Sequence, residues 1–369
     1  HSGRIGFLIA LALIVSLTAL AVLFNGGLAP RSADPVPSGS DPGYSSWEQE
    51  EDLSAPPSIP QAETGTGVIL SITPPSGEAL TYTQVYEKAA PSIAALTAYS
   101  AGMVSTGTGI VLTADGYIVT NAHIIAGAEQ VNVTLSDDSL WSAQLVGFEP
   151  LEDLAVLKID ASGLTPAQFG DDTLLRSGDP VSAIGNPMGY RSTITPGIVS
   201  ALDQPVSVEG TTMYLLQTSA AINYGSSGGA LLNDRGQVVG VTTIKIVADD
   251  GSAEGLGFAI PTTRVKQVVD RLIAGAPVPR PSLGIIVRRG QGENGGLVVE
   301  EVDPDSDCHR QGIQPQDIIV AANGQQVQTF ADLERIKRTL DVGDSLLLEV
   351  LRGGEHLEFT VTLMDQDDF

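Results

Sequence analysis

Residues 220–234 read AAINYGSSGGALLND, with Ser226 and Ser227 set between Gly225 and the pair Gly228-Gly229. Two readings compete for this stretch. Glycine takes positive φ without steric cost and serine bonds its own backbone, so the cluster suits a turn between strands. The same residues suit a loop that presents a serine to a carbonyl, because closely spaced glycines let main chain approach a substrate. A serine is a weak nucleophile at its own pKa and needs a base, usually histidine, oriented by a third group. The choice therefore depends on what the rest of the chain can bring to the two serines.

The chain has four histidines. His1 precedes an apolar N-terminal run, and His309 and His356 lie near the C-terminus, which leaves His123, in TNAHII, as the base available within the central stretch. An acid must then hold the imidazole. Asp153, in LEDLAVLKID, lies between His123 and the serines in chain order, and Glu152 beside it is nearly as plausible on composition. The order His, Asp, Ser is that of chymotrypsin-like double barrels. On this reading Ser227, which follows Gly225 by two positions and directly precedes Gly228-Gly229, is the candidate nucleophile, and Ser226 is its neighbour in the turn. The N–H groups of Gly225 and Ser227 become candidate oxyanion donors, which must stand about 2.7 to 3.1 Å from the developing charge.

The flanking sequence is mostly β. Short runs of β-branched residues alternate with turn signals, as in a sandwich or barrel. Strands are predicted at 109–112 and 117–120 around an Asp-Gly hairpin, and at 130–135, 144–148, 154–159, 180–184, 197–202, 213–218 and 237–246. That is enough for two packed barrels over residues 83–275. Val265, Val268, Val269 and Leu272 recur at helical spacing, with Thr262 or Thr263 to cap the start and Gly275 to end it. Residues 276–281 (APVPRP) form a stiff proline linker, and 282–369 a small α+β domain with strands at 283–287, 297–301, 317–320, 346–351 and 357–363. In that domain Phe330 to Leu340 is helical, with Leu333, Ile336 and Leu340 on one stripe.

The 369 residues are 42% apolar and 17% charged, enough to bury a core. The formal charge of −25 argues against a phosphate-binding surface, so no nucleic-acid partner is expected. A single cysteine, Cys308, excludes an internal disulfide, and the absence of clustered Cys and His argues against a zinc site; Cys308 is expected to be a small buried residue rather than a reactive thiol. Residues 1–27 read as a transmembrane anchor or signal segment, because Ile5 to Phe24 gives 20 uncharged residues, long enough to cross about 30 Å of hydrocarbon. Arg4 on the leading side places the N-terminus in the cytoplasm, and the length favours an uncleaved single-pass anchor over a cleaved signal. Residues 28–82 are an acidic, proline-rich linker: between Ser32 and Tyr82 there are eight acids, eight prolines and no Lys or Arg. Within it Gly67 to Ile72 suits a short strand or a partner-binding segment, and both readings stay open.

With these motifs in place the chain resembles the HtrA/Deg family of trypsin-like serine proteases with a C-terminal PDZ domain, in its membrane-anchored form. The matching residues are TNAHIIAGA around His123, EDLAVLKID around Asp153, AIGNPMG at 183–189, TPGIVSA at 195–201, AAINYGSSGGALLN around Ser227 and GLGFAIP at 255–261. The small domain adds SLGI at 282–285 and IQPQDIIVAANG at 313–324. The resemblance implies an endopeptidase of misfolded or signalling proteins outside the cytoplasm, a homotrimer or larger, needing neither cofactor nor metal. It implies a PDZ site that takes a peptide C-terminus as an added strand, with the carboxylate held by N–H groups around Leu283, Gly284 and Ile285. Ala221, Ile222 and Ile244 are the expected apolar walls of the substrate pocket. A non-catalytic peptide-binding scaffold on the same two domains is the alternative, which the retention of all three candidate triad residues disfavours. The family usually has Asp, Pro and Asn where Ser219, Tyr224 and Ser226 stand, and a small apolar stretch where Ser306-Asp307-Cys308-His309 stands.

Overall fold

The computed structural model describes residues 54–368, apart from 187–191, 209–210, 244–255, 291–294 and 338–339. The expected span at 5–24 lies outside these residues; among the described residues no helix is long and apolar enough to cross a membrane.

The chain enters as a strap, which corrects the expectation of a tether reaching Tyr82. Ser58 N–H donates to Ala128 O at 2.7 Å, Pro60 O and Ala62 N–H both bond Leu145 at 2.8 Å, and Gly65 N–H donates to Ile273 O at 2.7 Å. Strand β1 (Ile72–Thr73) pairs in parallel with Phe169-Gly170. Ile59 and Leu70 are buried. Composition reads such a segment as linker because its apolar residues are few. Its stability comes instead from main-chain groups that find partners along the folded surface, which composition does not encode. The open reading of 67–72 thus resolves to a strand at its end. Helix α1 (Tyr82–Ala89), absent from the sequence expectations, starts at a capping box: Gln84 N–H donates to Thr81 Oγ1 at 3.3 Å and Thr81 N–H to Gln84 Oε1 at 2.9 Å.

The first sheet contains β2 (Ile93–Ser100), β3 (Met103–Val111), β4 (Tyr117–Thr120), β5 (Gln130–Thr134), β6 (Leu140–Ser142), β7 (Gln144–Glu149) and β8 (Leu154–Lys158), in the order β6-β5-β2-β3-β4-β8-β7. One turn of helix, α2 (Ala122–Ile125), follows β4. The second sheet contains β9 (Phe169–Gly170), β10 (Pro180–Gly185), β11 (Thr193–Val208), β12 (Thr211–Thr218), β13 (Ala230–Asn233), β14 (Val238–Thr243) and β15 (Gly257–Pro261). Its order is β1-β9-β14-β13-β10-β11-β12-β15, and β14 also pairs β15, so the strands from β14 through β13, β10, β11 and β12 to β15 close into a barrel. Strand β11 is longer than predicted, and its pairing with β12 shifts register after Val199 and Ala201, where bulges bend the pair. Every residue of β13 and β14 is buried, because one face lines the barrel and the other is covered.

Helix α3 (Thr262–Ala274) buries Val265, Val268, Val269 and Leu272 as predicted and ends at Gly275 with φ +67°. Its start differs from expectation: neither Thr262 nor Thr263 is the cap. Thr262 Oγ1 donates to Val238 O at 3.0 Å, and the Thr263 N–H is taken by Asp172 Oδ1 at 2.7 Å, a carboxylate reaching in from a distant turn.

The C-terminal region folds as β16 (Pro281–Ser282), β17 (Ile285–Arg289), β18 (Leu297–Val302), α4 (Asp307–Gln311), β19 (Ile318–Ala322), β20 (Gln325–Gln326), α5 (Phe330–Lys337), β21 (Ser345–Arg352), β22 (Glu355–Thr362) and β23 (Met364–Asp365). The main sheet runs β17-β18-β19-β21-β22, with β17 at an edge. The polar stretch at 306–309 builds α4: Ser306 Oγ accepts from His309 N–H, and the Asp307 carboxylate accepts from Thr362 N–H at 2.7 Å. Cys308 is buried in this core, and desolvation with the Asp307 charge beside it pushes its thiol up to about 12, as suits a packing residue.

Candidate active site

Strand β4 ends at Thr120, and α2 turns His123 back toward β8. Asp153 directly precedes β8, buried to 1% exposure and held at φ +51°. That left-handed conformation is uncommon outside glycine, and aspartate is among the residues that tolerate it. His123 Nδ1 lies 2.8 Å from Asp153 Oδ1 and 3.0 Å from Oδ2, and the His123 N–H donates to Oδ1 at 3.1 Å. With Nδ1–H directed at an acceptor-only carboxylate, Nε2 is left with its lone pair free to take a proton. Thr243 Oγ1 donates to Asp153 Oδ2 at 2.9 Å, and Asn121 Nδ2 to the Asp153 carbonyl at 2.9 Å.

Glu152, the other acid that composition allowed, turns the opposite way. Its carboxylate meets the Arg264 guanidinium on two nitrogens, at 2.9 Å (Nε) and 2.5 Å (Nη2). Burial works against the Arg264 charge, but the bonds and charge of Glu152 more than compensate and raise its pKa.

The serine loop is fixed mainly through its carbonyls. Gly225 O accepts from Thr108 Oγ1 at 2.7 Å, Ser226 O from Gly229 N–H at 3.0 Å and Thr242 Oγ1 at 2.6 Å, and Ser227 O from Thr108 N–H at 2.8 Å. Gly225 and Gly228 have φ of +90° and +79°. A Cβ on Gly228 would stand 2.1 Å from Thr108 O, 2.5 Å from Thr120 Oγ1 and 3.2 Å from Asn121 N, so only glycine lets this loop lie against the residues leading into α2. Ser227 is thereby brought next to the turn that carries His123, buried to 5% exposure. Among the described residues no hydrogen bond joins Ser227 to His123, and none uses the N–H of Gly225 or Ser227.

Three of the departures from the family pattern, at 219, 224 and 226, lie around this loop. Ser219 Oγ accepts from Ile198 N–H at 3.1 Å, and Tyr224 is 72% exposed. Of the expected pocket walls, Ala221 is exposed with its carbonyl bonded by Thr195 Oγ1 at 2.7 Å, Ile222 is half-buried beside Gly257, and Ile244 lies outside the described residues. In the C-terminal region Leu283 is buried, and Gly284 has φ +62° with its N–H given to Ser282 Oγ at 3.1 Å. Ile285 begins β17, whose outer edge no other strand covers among the described residues, and α5 packs nearby.

Sequence reasoning missed three threonines. Thr243 holds the acid, while Thr108 and Thr242 hold the serine loop. Their only sequence signal is position on strands β3 and β14, and it becomes legible when the strand pairing is known.

Residues 107–241 match the family described as a trypsin-like peptidase domain, and 281–363 match the PDZ domain. The chain is 38% identical over 276 residues to "Serine protease Do-like HtrB" of Bacillus subtilis (strain 168), covering 68% of this chain and 60% of that protein. It is 38% identical over 270 residues to "Probable periplasmic serine endoprotease DegP-like" of Chlamydia trachomatis serovar D, covering 70% of this chain and 53% of that one. The solved structure of the HtrA-type protease AlgW with a tripeptide superposes with a TM-score of 0.66 at 35% identity, covering 77% of this chain and 97% of that one. The chain belongs to the HtrA family of serine proteases. Its fold, a mostly-β chymotrypsin-like barrel region followed by a PDZ domain, is the HtrA arrangement, although it spans little more than half the length of the two curated relatives.

Proposed function

We propose that this HtrA-family chain is a serine endopeptidase in which Ser227 is the nucleophile, His123 the general base and Asp153 the group that orients it. The observation that carries the reading is the grip of Asp153 on His123 Nδ1 through both carboxylate oxygens, at 2.8 and 3.0 Å, beside the serine loop. Ser227 Oγ attacks the scissile carbonyl and its proton passes to His123 Nε2. The resulting oxyanion takes the unbonded N–H groups of Gly225 and Ser227. As the C–N bond breaks, the imidazolium returns the proton to the leaving amine; water then attacks the acyl-enzyme by the same route. Burial of Asp153 and its bond from Thr243 keep the ring in one orientation through both steps.

The PDZ region binds peptide C-termini along the open edge of β17, with the carboxylate near Leu283, Gly284 and Ile285. The Gly284 N–H donates to Ser282 Oγ at 3.1 Å, so a carboxylate that takes this N–H displaces that hydroxyl. Substrates are misfolded or regulatory proteins outside the cytoplasm. A periplasmic name for one relative supports this compartment, and residues 5–24 act as the anchor. The assembly is a homotrimer, testable by light scattering of the full chain. Ser227→Ala abolishes casein cleavage and fluorophosphonate labelling, whereas Ser226→Ala, whose hydroxyl has no assigned step, retains most of both. Equal labelling of wild type and Ser227→Ala would sink the assignment.

A further inference from the structure

Two consecutive carbonyls of the serine loop are held by buried threonine hydroxyls, one from each sheet. Thr108, on β3, donates to Gly225 O at 2.7 Å, and Thr242, on β14, donates to Ser226 O at 2.6 Å. Both side chains are completely buried, at 0% exposure. We propose that Thr242 is a positioning residue that aims the Ser227 N–H at the oxyanion, with Thr108 steadying the preceding peptide from the other sheet. The proposal rests on the reading of Ser227 as nucleophile.

A trans peptide is planar, so the Ser226 C=O and the Ser227 N–H point in opposite directions and fixing one fixes the other. Ser226 O is fixed twice, by Gly229 N–H at 3.0 Å and by Thr242 Oγ1 at 2.6 Å. The Ser227 N–H therefore faces away from Thr242, where no described acceptor takes it. The hydroxyl itself stands on a fixed base, because Thr242 N–H donates to Gly229 O and Thr242 O accepts from Gly228 N–H, both at 2.8 Å. The reach needs glycine at 229, where a Cβ would lie 2.8 Å from Ser226 O and 3.2 Å from Thr242 Oγ1. Thr108 is tied as firmly: its hydroxyl accepts from Asn186 N–H at 2.9 Å while donating to Gly225 O. A donor pre-aimed in this way costs no reorganisation when charge develops, and so acts on the transition state more than on substrate binding.

The test compares wild type, Thr242→Val and Thr242→Ser as full-length chains on an internally quenched peptide. A peptidyl boronic acid, whose oxygen occupies the oxyanion position, serves as transition-state analogue. Thr242→Val is expected to lose about tenfold in kcat at near-constant KM, less than deletion of a donor costs. Boronate affinity should fall by the same factor, and Thr242→Ser should restore both to within about threefold. Wild-type kcat in folded Thr242→Val, or an equal loss in Thr242→Ser, overturns the inference. So does a loss confined to KM. If Thr242→Val does not fold, Thr242→Ala, which puts no methyl against the carbonyl, is judged by the same criteria. Fluorophosphonate labelling separates the two levels: labelling that survives Ser227→Ala overturns the protease reading. Ser227-dependent labelling at an unchanged rate in Thr242→Val overturns this inference alone.

Discussion

The two halves of the candidate site are held in opposite ways. Asp153 has its side chain saturated, with donors from His123 Nδ1, the His123 N–H and Thr243 Oγ1. The serine loop has the carbonyls of Gly225, Ser226 and Ser227 bonded and its Gly225 and Ser227 N–H groups unbonded. In the proposed mechanism the first half is complete without a substrate, and the second is completed by one. That asymmetry suits a site whose base must keep a single orientation while its electrostatic donors await a charge that exists only in the transition state.

The sharpest way to break the comparison is Asp153→Asn. The amide keeps the shape but offers N–H where the carboxylate only accepts, so it stabilises the wrong imidazole tautomer. In the serine-protease template this costs about 10⁴-fold in kcat. A loss under about tenfold would mean that His123 is not oriented by this residue.

Gly228→Ala tests the other half. The new methyl meets Thr108 O, and φ of +79° is strained for any L side chain, so the loop must move away from Asn121. Overpacking and left-handed strain together predict a loss of about 2 to 4 kcal/mol, with activity falling further than the melting temperature explains. Unchanged activity at unchanged Tm would show that the loop does not depend on this approach.

Arg264→Ala probes the support behind the acid. Glu152, directly before Asp153, would lose both guanidinium bonds in a mostly buried setting, at a cost of about 1 to 3 kcal/mol. A loss of kcat beyond the loss of stability would show that the pair also steadies Asp153.

Much of this was legible in the sequence because it depends on local signals. Strand alternation and turn residues marked the sheets, helical spacing marked α3, and the scarcity of histidine left His123 as the candidate base. Asp153 could not be separated from Glu152 until Arg264, more than a hundred residues away, was seen to take Glu152. The strap at 55–73 was misread as tether for the same reason. Its partners, Ala128, Leu145, Ile273 and Phe169, are distant in sequence and meet mainly its backbone, with Ser58 Oγ also on Ala128 O and Thr73 Oγ1 on Phe169 O. Thr108, Thr242 and Thr243 look like ordinary strand threonines, and acquire roles only from what the pairing places opposite them. Helix α1 was missed because its capping box sits at the end of a segment whose composition reads as disordered.

Glu149 gives the smallest and most discriminating effect, because it ends β7 directly before the turn that closes on Asp153. Burial raises its carboxyl above the usual range, and Arg280, 3.4 Å away, opposes this without cancelling it. A carboxyl with a raised folded pKa favours the protonated form in the native state. Its penalty is therefore absent below the ordinary carboxylate range and grows as pH rises through the raised value. Glu149→Gln removes that titration. The variant is expected to gain on wild type in thermal melts as pH rises from the acid side toward neutrality, with the difference closing again on acidification. A variant whose deficit against wild type instead grows as pH rises would mean that the bond to Arg280 outweighs burial, and that the turn before Asp153 is anchored by Arg280 as well as by Arg264.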